Sequence, residues 1–264
     1  MEKKKVIVTG ASGFVGRNFI EKYSDRYDIV PISLRTTKVE DIEFTNVDCV
    51  LHLAALVHQM KGAPEEKYFE INRDLTEKLA VRAKEKGVKH FVFYSTVGVW
   101  GTHGYFDHDR IITLETPTNP KTPYAKSKIE AEKILENLKG DIFKVSILRP
   151  PMIYGEGCPG NLPKLEKLVK IFSILPFNYS ENKRTMIDIN KLTEETNAII
   201  KKEKKGIFIP KDQLDISIKE IIEKLAKKNN KKIKLIRLPK LVFNLIYRIK
   251  PKIVKSLYGS LRFK

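Results

Sequence analysis

The sequence predicts an α/β protein with a doubly wound parallel sheet and a smaller C-terminal lobe. The first observation is the apolar run 6–8, which leads into a glycine-rich turn and then a helical pattern. The second is that three more apolar runs, at 28–34, 47–55 and 89–96, alternate with helical patterns, which is typical of parallel sheets. The third is the length of 264 residues, enough to bury one large core or to form one domain with a smaller lobe.

The glycine-rich turn has the spacing G-x-x-G-x-x-G between residues 10 and 16. Such a turn brings the backbone close to a pyrophosphate, and the following helix directs free N–H groups at it. Glycine-rich turns between strand and helix also arise for packing alone. On the first interpretation, the cofactor-binding candidates here are Gly10, Ser12, Gly13, Phe14, Val15 and Gly16.

The end of the second strand favours NADP(H), with NAD(H) as the alternative. An acidic residue there binds the ribose hydroxyls of NAD, whereas a nearby Arg suits the 2′-phosphate of NADP. Residues 33–37 read Ser-Leu-Arg-Thr-Thr, without an acid, so Arg35 is the expected phosphate partner. Asp41 and Ile42 are predicted to form a short third strand bordering the adenine.

The strand predicted over 47–55 is continuously apolar, as expected inside a parallel sheet. His52 within it is interpreted as a core histidine. Small residues at its carboxyl end leave room for a cofactor, so Leu53, Ala54 and Ala55 are cofactor-binding candidates. A helix is predicted over 64–87, in which the Asn72 amide braces neighbouring loop backbone.

Two motifs follow that favour acid–base chemistry. The strand predicted over 89–96 ends in hydroxyl groups, and Tyr94 and Ser95 are cofactor-binding candidates. Tyr124 and Lys128 share one face of a helix predicted over 122–138. A nearby ammonium is expected to lower the Tyr pKa from about 10. A Tyr and a Lys four residues apart also occur by chance, so the preceding motifs carry the interpretation.

The charge distribution, the cysteine content and one polar loop limit the classes of function that fit this chain. Residues 201–264 hold 20 Lys or Arg and 5 Asp or Glu, within a chain of net charge +18. A solvated lysine-rich lobe explains this, and attraction of an anionic substrate or membrane surface is the alternative. Nucleic-acid binding has no supporting motif. Two cysteines, Cys49 and Cys158, suit a cytoplasmic protein. The loop residues His103, Asp107, His108 and Asp109 are interpreted as solvated, and no metal site is predicted.

Five segments together resemble the extended short-chain dehydrogenase/reductase family, which contains nucleotide-sugar epimerases, dehydratases and reductases. The segments are TGASGFVG (9–16), HLAA (52–55), YSTVGVWG (94–101), YAKSK (124–128) and RPPMIYGEG (149–157). The resemblance implies a Rossmann-type dinucleotide-binding domain over residues 1–150. It also implies catalysis by Tyr124 as proton donor or acceptor, Thr96 as a hydrogen-bonding partner of the sugar, and Lys128 holding the nicotinamide ribose. Pro150 is a further cofactor-binding candidate.

The same resemblance implies a nucleotide-sugar-binding lobe over 151–264, with Asn161 and Arg184 on the diphosphate. For Arg184 the alternative is an ordinary surface arginine. Val97 and Gly98 follow Thr96 where dehydratases carry Asp-Glu, which argues against dehydration. Met152, a substrate-binding candidate, replaces a common Asn. The segment with Met152 at this position is most similar to that of reductases of UDP-4-keto-6-deoxy-N-acetylhexosamines. These enzymes serve bacterial surface polysaccharide synthesis.

The leading hypothesis is therefore an NADPH-dependent reduction of a UDP-linked 4-ketosugar. The alternatives are a UDP-hexose 4-epimerase with retained NAD and a non-catalytic dinucleotide-binding regulator. A homodimer is expected from the resemblance. The basic apolar segment 238–257 is expected to pack within the C-terminal lobe, and attachment to an anionic membrane is its alternative.

Overall fold

The chain divides into two units, each assembled from separate segments. The computed structural model describes residues 3–57, 63–101, 104–106, 110–178 and 181–264. Unit 1 comprises residues 1–101, 118–151 and 189–210, and unit 2 comprises residues 102–117, 152–188 and 211–264. The loop residues His103, Asp107, His108 and Asp109 lie outside the described residues.

The described elements are numbered in chain order. The strands are β1 (Lys5–Thr9), β2 (Asp28–Ile32), β3 (Cys49–His52), β4 (His90–Tyr94), β5 (Ile111–Ile112), β6 (Lys144–Leu148), β7 (Met152–Tyr154), β8 (Ile174–Leu175), β9 (Met186–Asp188), β10 (Gly206–Phe208), β11 (Lys234–Leu235) and β12 (Arg262–Phe263). The helices are α1 (Phe14–Tyr23), α2 (Glu65–Phe69), α3 (Leu75–Glu85), α4 (Pro123–Leu138), α5 (Asn161–Ile171), α6 (Ile189–Lys202), α7 (Ile218–Lys228), α8 (Lys240–Ile249) and α9 (Pro251–Tyr258).

Unit 1 contains the predicted Rossmann-like sheet. Its six strands lie in the order β10-β6-β4-β3-β1-β2, and all the pairings are parallel. The strands β3 and β4 are buried throughout, as expected when helices cover both faces of a parallel sheet. The chain order reverses between β1 and β3, which places ligands at the carboxyl ends of these strands in open α/β sheets.

Helices pack on both faces of this sheet. On one face, α3 and α4 contribute Leu79, Ala80, Ala83, Ala131 and Leu135 to a core shared with the strands. On the other face, Tyr27 donates its hydroxyl proton to Asn197 Oδ1 of α6 at 2.7 Å, and Tyr94 is hydrogen-bonded to Thr196 at 2.6 Å. The segment 189–210 therefore belongs to unit 1. A single boundary between residues 150 and 151, as predicted from the sequence, assigns this segment to the second domain instead.

The helix predicted over 64–87 contains an irregular turn. Between α2 and α3, the five residues Glu70–Asp74 form a π-helical turn, and Gly87 follows at a positive φ of 80°. A π-helical turn is rare and is frequently found at functional sites. Asn72 lies in it and is completely buried.

The predicted strand at Asp41 and Ile42 is wrong. Val39–Asp41 form a single 3₁₀ turn instead. Val39, Ile42 and Phe44 are buried in the core of unit 1, and the turn provides the three-residue spacing that brings Val39 and Ile42 to the same side. Ile42 is only 4% exposed, so its side chain is used in packing.

Unit 2 has short two-stranded pairings around a helical core. The pairs are β7 with β9, β8 with β11, and β5 with β12, all of them parallel. Buried side chains of α5, α7 and α9, including Val169, Ile222 and Val254, form its hydrophobic core. None of the helices within the described ranges is long and apolar enough to cross a membrane.

Candidate active site

The glycine-rich turn joins β1 to α1, and close contacts explain two of its glycines. A Cβ on Gly10, which has a φ of 71°, would lie 2.7 Å from the backbone nitrogen of Ala54. A Cβ on Gly16 would lie 2.5 Å from the carbonyl oxygen of Gly10. Tight packing therefore requires glycine at both positions. For these two residues, packing alone explains the glycine without a bound pyrophosphate.

The start of α1 nevertheless fits an anionic ligand. Gly13 is its N-cap residue, and no side chain caps the first turn. The first turns of α2, α5, α8 and α9 also lack a side-chain cap, whereas Thr122 caps α4 and Ser217 caps α7. The uncapped amide groups and the positive end of the helix dipole suit a pyrophosphate. Ser12 and Gly13 are exposed, and Phe14 and Val15 are half-buried.

The carboxyl end of β3 forms the neighbouring wall of unit 1. His52 is hydrogen-bonded to Thr9 Oγ1 at 2.6 Å and to Thr76 Oγ1 at 2.9 Å. Burial lowers the His52 pKa to about 3, and the charge of Lys128 adds to this shift. The interpretation of His52 as a core histidine is confirmed. The half-buried residues that follow it are Leu53, Ala54 and Ala55.

Asn72 fixes the loop that follows β3. Its Oδ1 accepts a hydrogen bond from Leu56 N at 2.7 Å, and its Nδ2 donates to Leu56 O at 3.0 Å. The same Nδ2 donates to Ser127 Oγ at 3.0 Å, and Ser127 in turn donates to the Tyr124 carbonyl oxygen at 2.9 Å. The predicted bracing of loop backbone is therefore observed. Its link to α4 through Ser127 had no signal in the sequence.

Tyr124 and Lys128 both lie on α4, as predicted. Tyr124 is half-buried, and burial raises its pKa to about 12. Lys128 is only 1% exposed, and its Nζ lies 4.2 Å from the centre of the Phe93 ring. Burial lowers the Lys128 pKa to about 7, against the opposing charge of Glu132. The expected lowering of the Tyr124 pKa is thus not found in this structure, because desolvation dominates both groups.

Thr96 is the second residue after β4 and lies at the start of the 3₁₀ turn Val97–Trp100. Its Oγ1 accepts a hydrogen bond from Gly98 N at 3.0 Å, so its hydroxyl proton can be donated to a ligand oxygen. A Cβ on Gly98 would lie 3.3 Å from the Thr96 side chain and 3.8 Å from Ala125 Cβ of α4. The turn after Thr96 therefore packs beside the start of α4.

A buried ionic cluster, which sequence reasoning missed, connects β4, α4 and β6. Glu132 accepts hydrogen bonds from Ser95 Oγ and from Arg149 Nε, the latter at 3.1 Å. The Arg149 guanidinium lies 4.5 Å from the centre of the Trp100 ring. Ser95, a cofactor-binding candidate, is therefore bonded to Glu132. The spacing of Tyr124, Lys128 and Glu132, four residues apart each time, was the available signal.

The remaining candidates of unit 1 are dispersed. Arg35 is exposed in the loop after β2, and Asp41 is exposed in its 3₁₀ turn. The Tyr94 hydroxyl is hydrogen-bonded to Thr196. The Pro150 carbonyl oxygen accepts a hydrogen bond from Val97 N at 3.3 Å. The cofactor-binding roles of these residues stay predictions.

The substrate-binding candidates beyond Thr96 belong to unit 2. Met152 begins β7 and is 42% exposed, and Asn161 is exposed at the start of α5. Arg184 is only 8% exposed, so the alternative of a surface arginine is wrong. Its Nη1 donates to the carbonyl oxygens of Ser256 at 2.6 Å and Gly259 at 3.2 Å. Arg184 therefore holds the backbone at the C-terminal end of α9, and its contact with a diphosphate stays a prediction.

No cluster of three or more His, Cys, Asp or Glu side chains able to hold a metal ion occurs in the described ranges. Unit 1 carries an uncapped helix start, a Thr hydroxyl, a Tyr and a buried Lys. This combination on a Rossmann-like sheet is typical of nicotinamide-dinucleotide-dependent enzymes of the short-chain dehydrogenase/reductase class.

Comparison with known proteins places the chain within this class. The profile of the NAD dependent epimerase/dehydratase family matches residues 6–190, and the chain belongs to that family. It is 31% identical to UDP-glucose 4-epimerase of Vibrio cholerae over 250 residues, covering 84% of this chain and 75% of the relative. It is 25% identical to N-acetyl-alpha-D-glucosaminyl-diphospho-ditrans,octacis-undecaprenol 4-epimerase of Escherichia coli O157:H7, covering 89% and 75%.

Solved structures share the fold at lower identity. UDP-N-acetylglucosamine 4-epimerase of Methanobrevibacter ruminantium, in complex with UDP-N-acetylmuramic acid, is 19% identical with a TM-score of 0.78, covering 99% of this chain and 90% of that one. The dTDP-4-dehydrorhamnose reductase of Bacillus anthracis, in complex with NADP, is 20% identical with a TM-score of 0.73, covering 92% and 86%.

Proposed function

We propose that this protein is an NADPH-dependent reductase of the C4 ketone in a nucleotide-linked sugar. The observation that carries the choice is the end of β2, where residues 33–37 contain no acid and Arg35 is exposed. A carboxylate at this place would bind the ribose hydroxyls of NAD, whereas a guanidinium favours the 2′-phosphate of NADP. The substrate class that we propose is a UDP-linked 4-keto-6-deoxy-N-acetylhexosamine.

The proposed acid–base group is Tyr124. When bound, NADPH supplies the hydride for the carbonyl carbon. Tyr124 donates its phenolic proton to the substrate oxygen, and its raised pKa of about 12 keeps that proton in place at neutral pH. The Thr96 hydroxyl donates a hydrogen bond to the same oxygen and keeps its proton. The buried Lys128 binds the nicotinamide ribose.

The turn after Thr96 supports reduction over dehydration. Elimination of water needs a further acid and base, and Val97 and Gly98 supply neither. The 3.3 Å approach of a Cβ on Gly98 to Thr96 leaves little room for a longer side chain there. Within unit 2, the residues that we propose for the nucleotide sugar are Asn161 and Arg184 for the diphosphate and Met152 for the sugar.

A 4-epimerase is the second candidate, because the Vibrio cholerae and Escherichia coli relatives are both named as 4-epimerases. An epimerase oxidises and then reduces the same carbon, so it uses the same proton-transferring Tyr124 and needs no net reductant. The Escherichia coli relative is named for a sugar linked through diphosphate to undecaprenol, which extends the candidate substrates to lipid-linked sugars.

The test is turnover by the full chain with UDP-4-keto-6-deoxy-N-acetylglucosamine and either NADPH or NADH. We expect NADPH consumption only with the ketosugar, a C4 alcohol by NMR, and at least a hundredfold loss in Tyr124→Phe. Tyr27→Phe, another tyrosine of unit 1, is the matched control. Absence of reduction with any such ketosugar would refute the reductase.

Two measurements separate the candidates. Protein denatured directly after purification should release little dinucleotide if it is a reductase, whereas stoichiometric NAD indicates an epimerase. Arg35→Ala should raise the KM for NADPH about tenfold while leaving that for NADH unchanged. Lys38→Ala, an exposed cation three residues further, is the control. An equal effect of both variants would contradict the role of Arg35.

A further inference from the structure

The outward side of α8 carries an exposed apolar stripe. Five of its ten residues are apolar and exposed, namely Leu241 (84%), Val242 (42%), Leu245 (59%), Ile246 (36%) and Ile249 (63%). At about 100° per residue, these five fall within an arc of about 140° on one side of the helix. The sequence-based expectation that segment 238–257 packs within its lobe is therefore wrong for this half of α8.

The opposite side of α8 already packs on unit 2. Phe243 lies 5.4 Å from the Tyr258 ring, and Tyr247 lies 5.5 Å from the Phe106 ring, both in edge-on geometry. These two residues are only partly exposed. The helix is thus attached to its unit through one face, and the apolar stripe is surplus to that packing.

The charges around the stripe are all positive along these two helices. Lys240 and Arg248 lie on α8, Lys250 and Lys252 follow it immediately, and α8 and α9 contain no acidic residue. Glu181, which borders the cavity beneath Phe243 and Tyr247, forms an ion pair with Arg237. The stripe is therefore an apolar surface with cations at both ends.

We propose that α8 docks this protein on the surface of an anionic membrane. An amphipathic helix with such a face lies in the bilayer interface, with apolar side chains among the lipids and Lys or Arg at the phosphates. Ten residues are too few to span a bilayer, which needs about 20. A second copy of this chain is disfavoured as the occupant, because two α8 faces would bring like charges together without carboxylates.

The experiment is flotation of the full chain with phosphatidylcholine vesicles, with and without phosphatidylglycerol. We expect co-flotation at low salt with the anionic vesicles only. The variant Leu241→Glu with Leu245→Glu should reduce the bound fraction about tenfold. The matched control, Ile142→Glu with Leu214→Glu, changes two residues that are 80% and 83% exposed outside α8, and it should float like the wild type.

A second variant tests the cations separately. Arg248→Gln with Lys250→Gln should weaken binding and reduce its dependence on salt, because fewer lipid phosphates are neutralised. Circular dichroism of each variant shows whether it is folded. The proposal is overturned if the wild type does not float at low salt, if neutral vesicles bind it equally, or if the control pair loses binding as the α8 pair does. A lipid-free dimer that the α8 pair dissociates would instead assign this face to a second copy.

Discussion

Glu132 and Arg149 form a buried ion pair in which the carboxylate also accepts a hydrogen bond from Ser95. Their side chains are 3% and 6% exposed, and Arg149 Nε lies 3.1 Å from both Glu132 oxygens. Glu132 is on the helix that carries Tyr124 and Lys128, and Ser95 directly precedes Thr96. This pair therefore fixes the distance between the helix and the strand end that hold the candidate catalytic groups.

Removing one partner of this pair is expected to be costly. Glu132→Gln leaves the Arg149 charge buried without its counter-ion, and such changes cost about 3–5 kcal/mol of unfolding free energy. Urea denaturation measures this loss of unfolding free energy. The control is Glu130→Gln on the same helix, whose side chain is 40% exposed and pairs with Lys133, and it should cost less than about 1 kcal/mol. Equal effects of the two variants would contradict the buried pair.

The depressed pKa of Lys128 predicts a pH dependence of stability. Between the folded pKa of about 7 and the unfolded value of about 10.4, the unfolded chain binds the proton and the folded chain does not. The unfolding free energy contributed by Lys128 therefore rises with pH in this window, by at most about 1.4 kcal/mol per pH unit. Urea denaturation at pH 7 and pH 9.5 measures the rise, which Lys128→Met should remove. Lys126→Met, an exposed neighbour, should retain it, and parallel curves for all three proteins would refute the assignment.

The glycine-rich turn predicts contrasting alanine substitutions. In Gly16→Ala the new Cβ would lie 2.5 Å from the Gly10 carbonyl oxygen and 2.8 Å from Ala11 Cα, so about 1–3 kcal/mol should be lost. Gly140→Ala meets nothing within 4 Å and should leave the melting temperature unchanged or slightly higher. A Gly16→Ala protein as stable as Gly140→Ala would show that the turn can relax.

Asn72→Ala should release the loop after β3. It removes both hydrogen bonds to Leu56 and the one to Ser127, and unsatisfied buried groups cost about 1–3 kcal/mol. Hydrogen exchange followed by NMR should show faster exchange of the Leu56 amide. The Val8 amide in β1 is the internal reference in the same sample. Unchanged protection of Leu56 would contradict a bracing role.

Local patterns predicted the elements that hold the site. The apolar runs predicted β1, β3 and β4, and a helix was predicted over 122–138, where α4 lies, because these signals depend on neighbouring residues. The π-helical turn around Asn72 has no such signal, since its conformation is stabilised by contacts with Leu56 and Ser127 from other segments.

The ionic cluster of Glu132, Arg149 and Ser95 and the direction of the Tyr124 pKa shift also could not be predicted from local sequence patterns. Arg149 meets Glu132 only after β6 has joined the sheet, so sequence distance gives no hint of their contact. The sign of the Tyr124 shift depends on desolvation, which is a property of the packed unit. Spacing could place Lys128 beside Tyr124, but only the fold determines how much charge Lys128 retains.

One edge strand of the unit 1 sheet is synthesised after part of unit 2. This strand, β10, pairs with β6, yet residues 152–188 of unit 2 are synthesised between them. Until residue 208 has emerged, β6 presents an open edge to other nascent chains, and such edges favour misassembly. Chaperone dependence during synthesis should therefore be greatest while the intervening segment is being made, because unit 1 cannot complete its sheet before residues 152–188 of unit 2 have been synthesised.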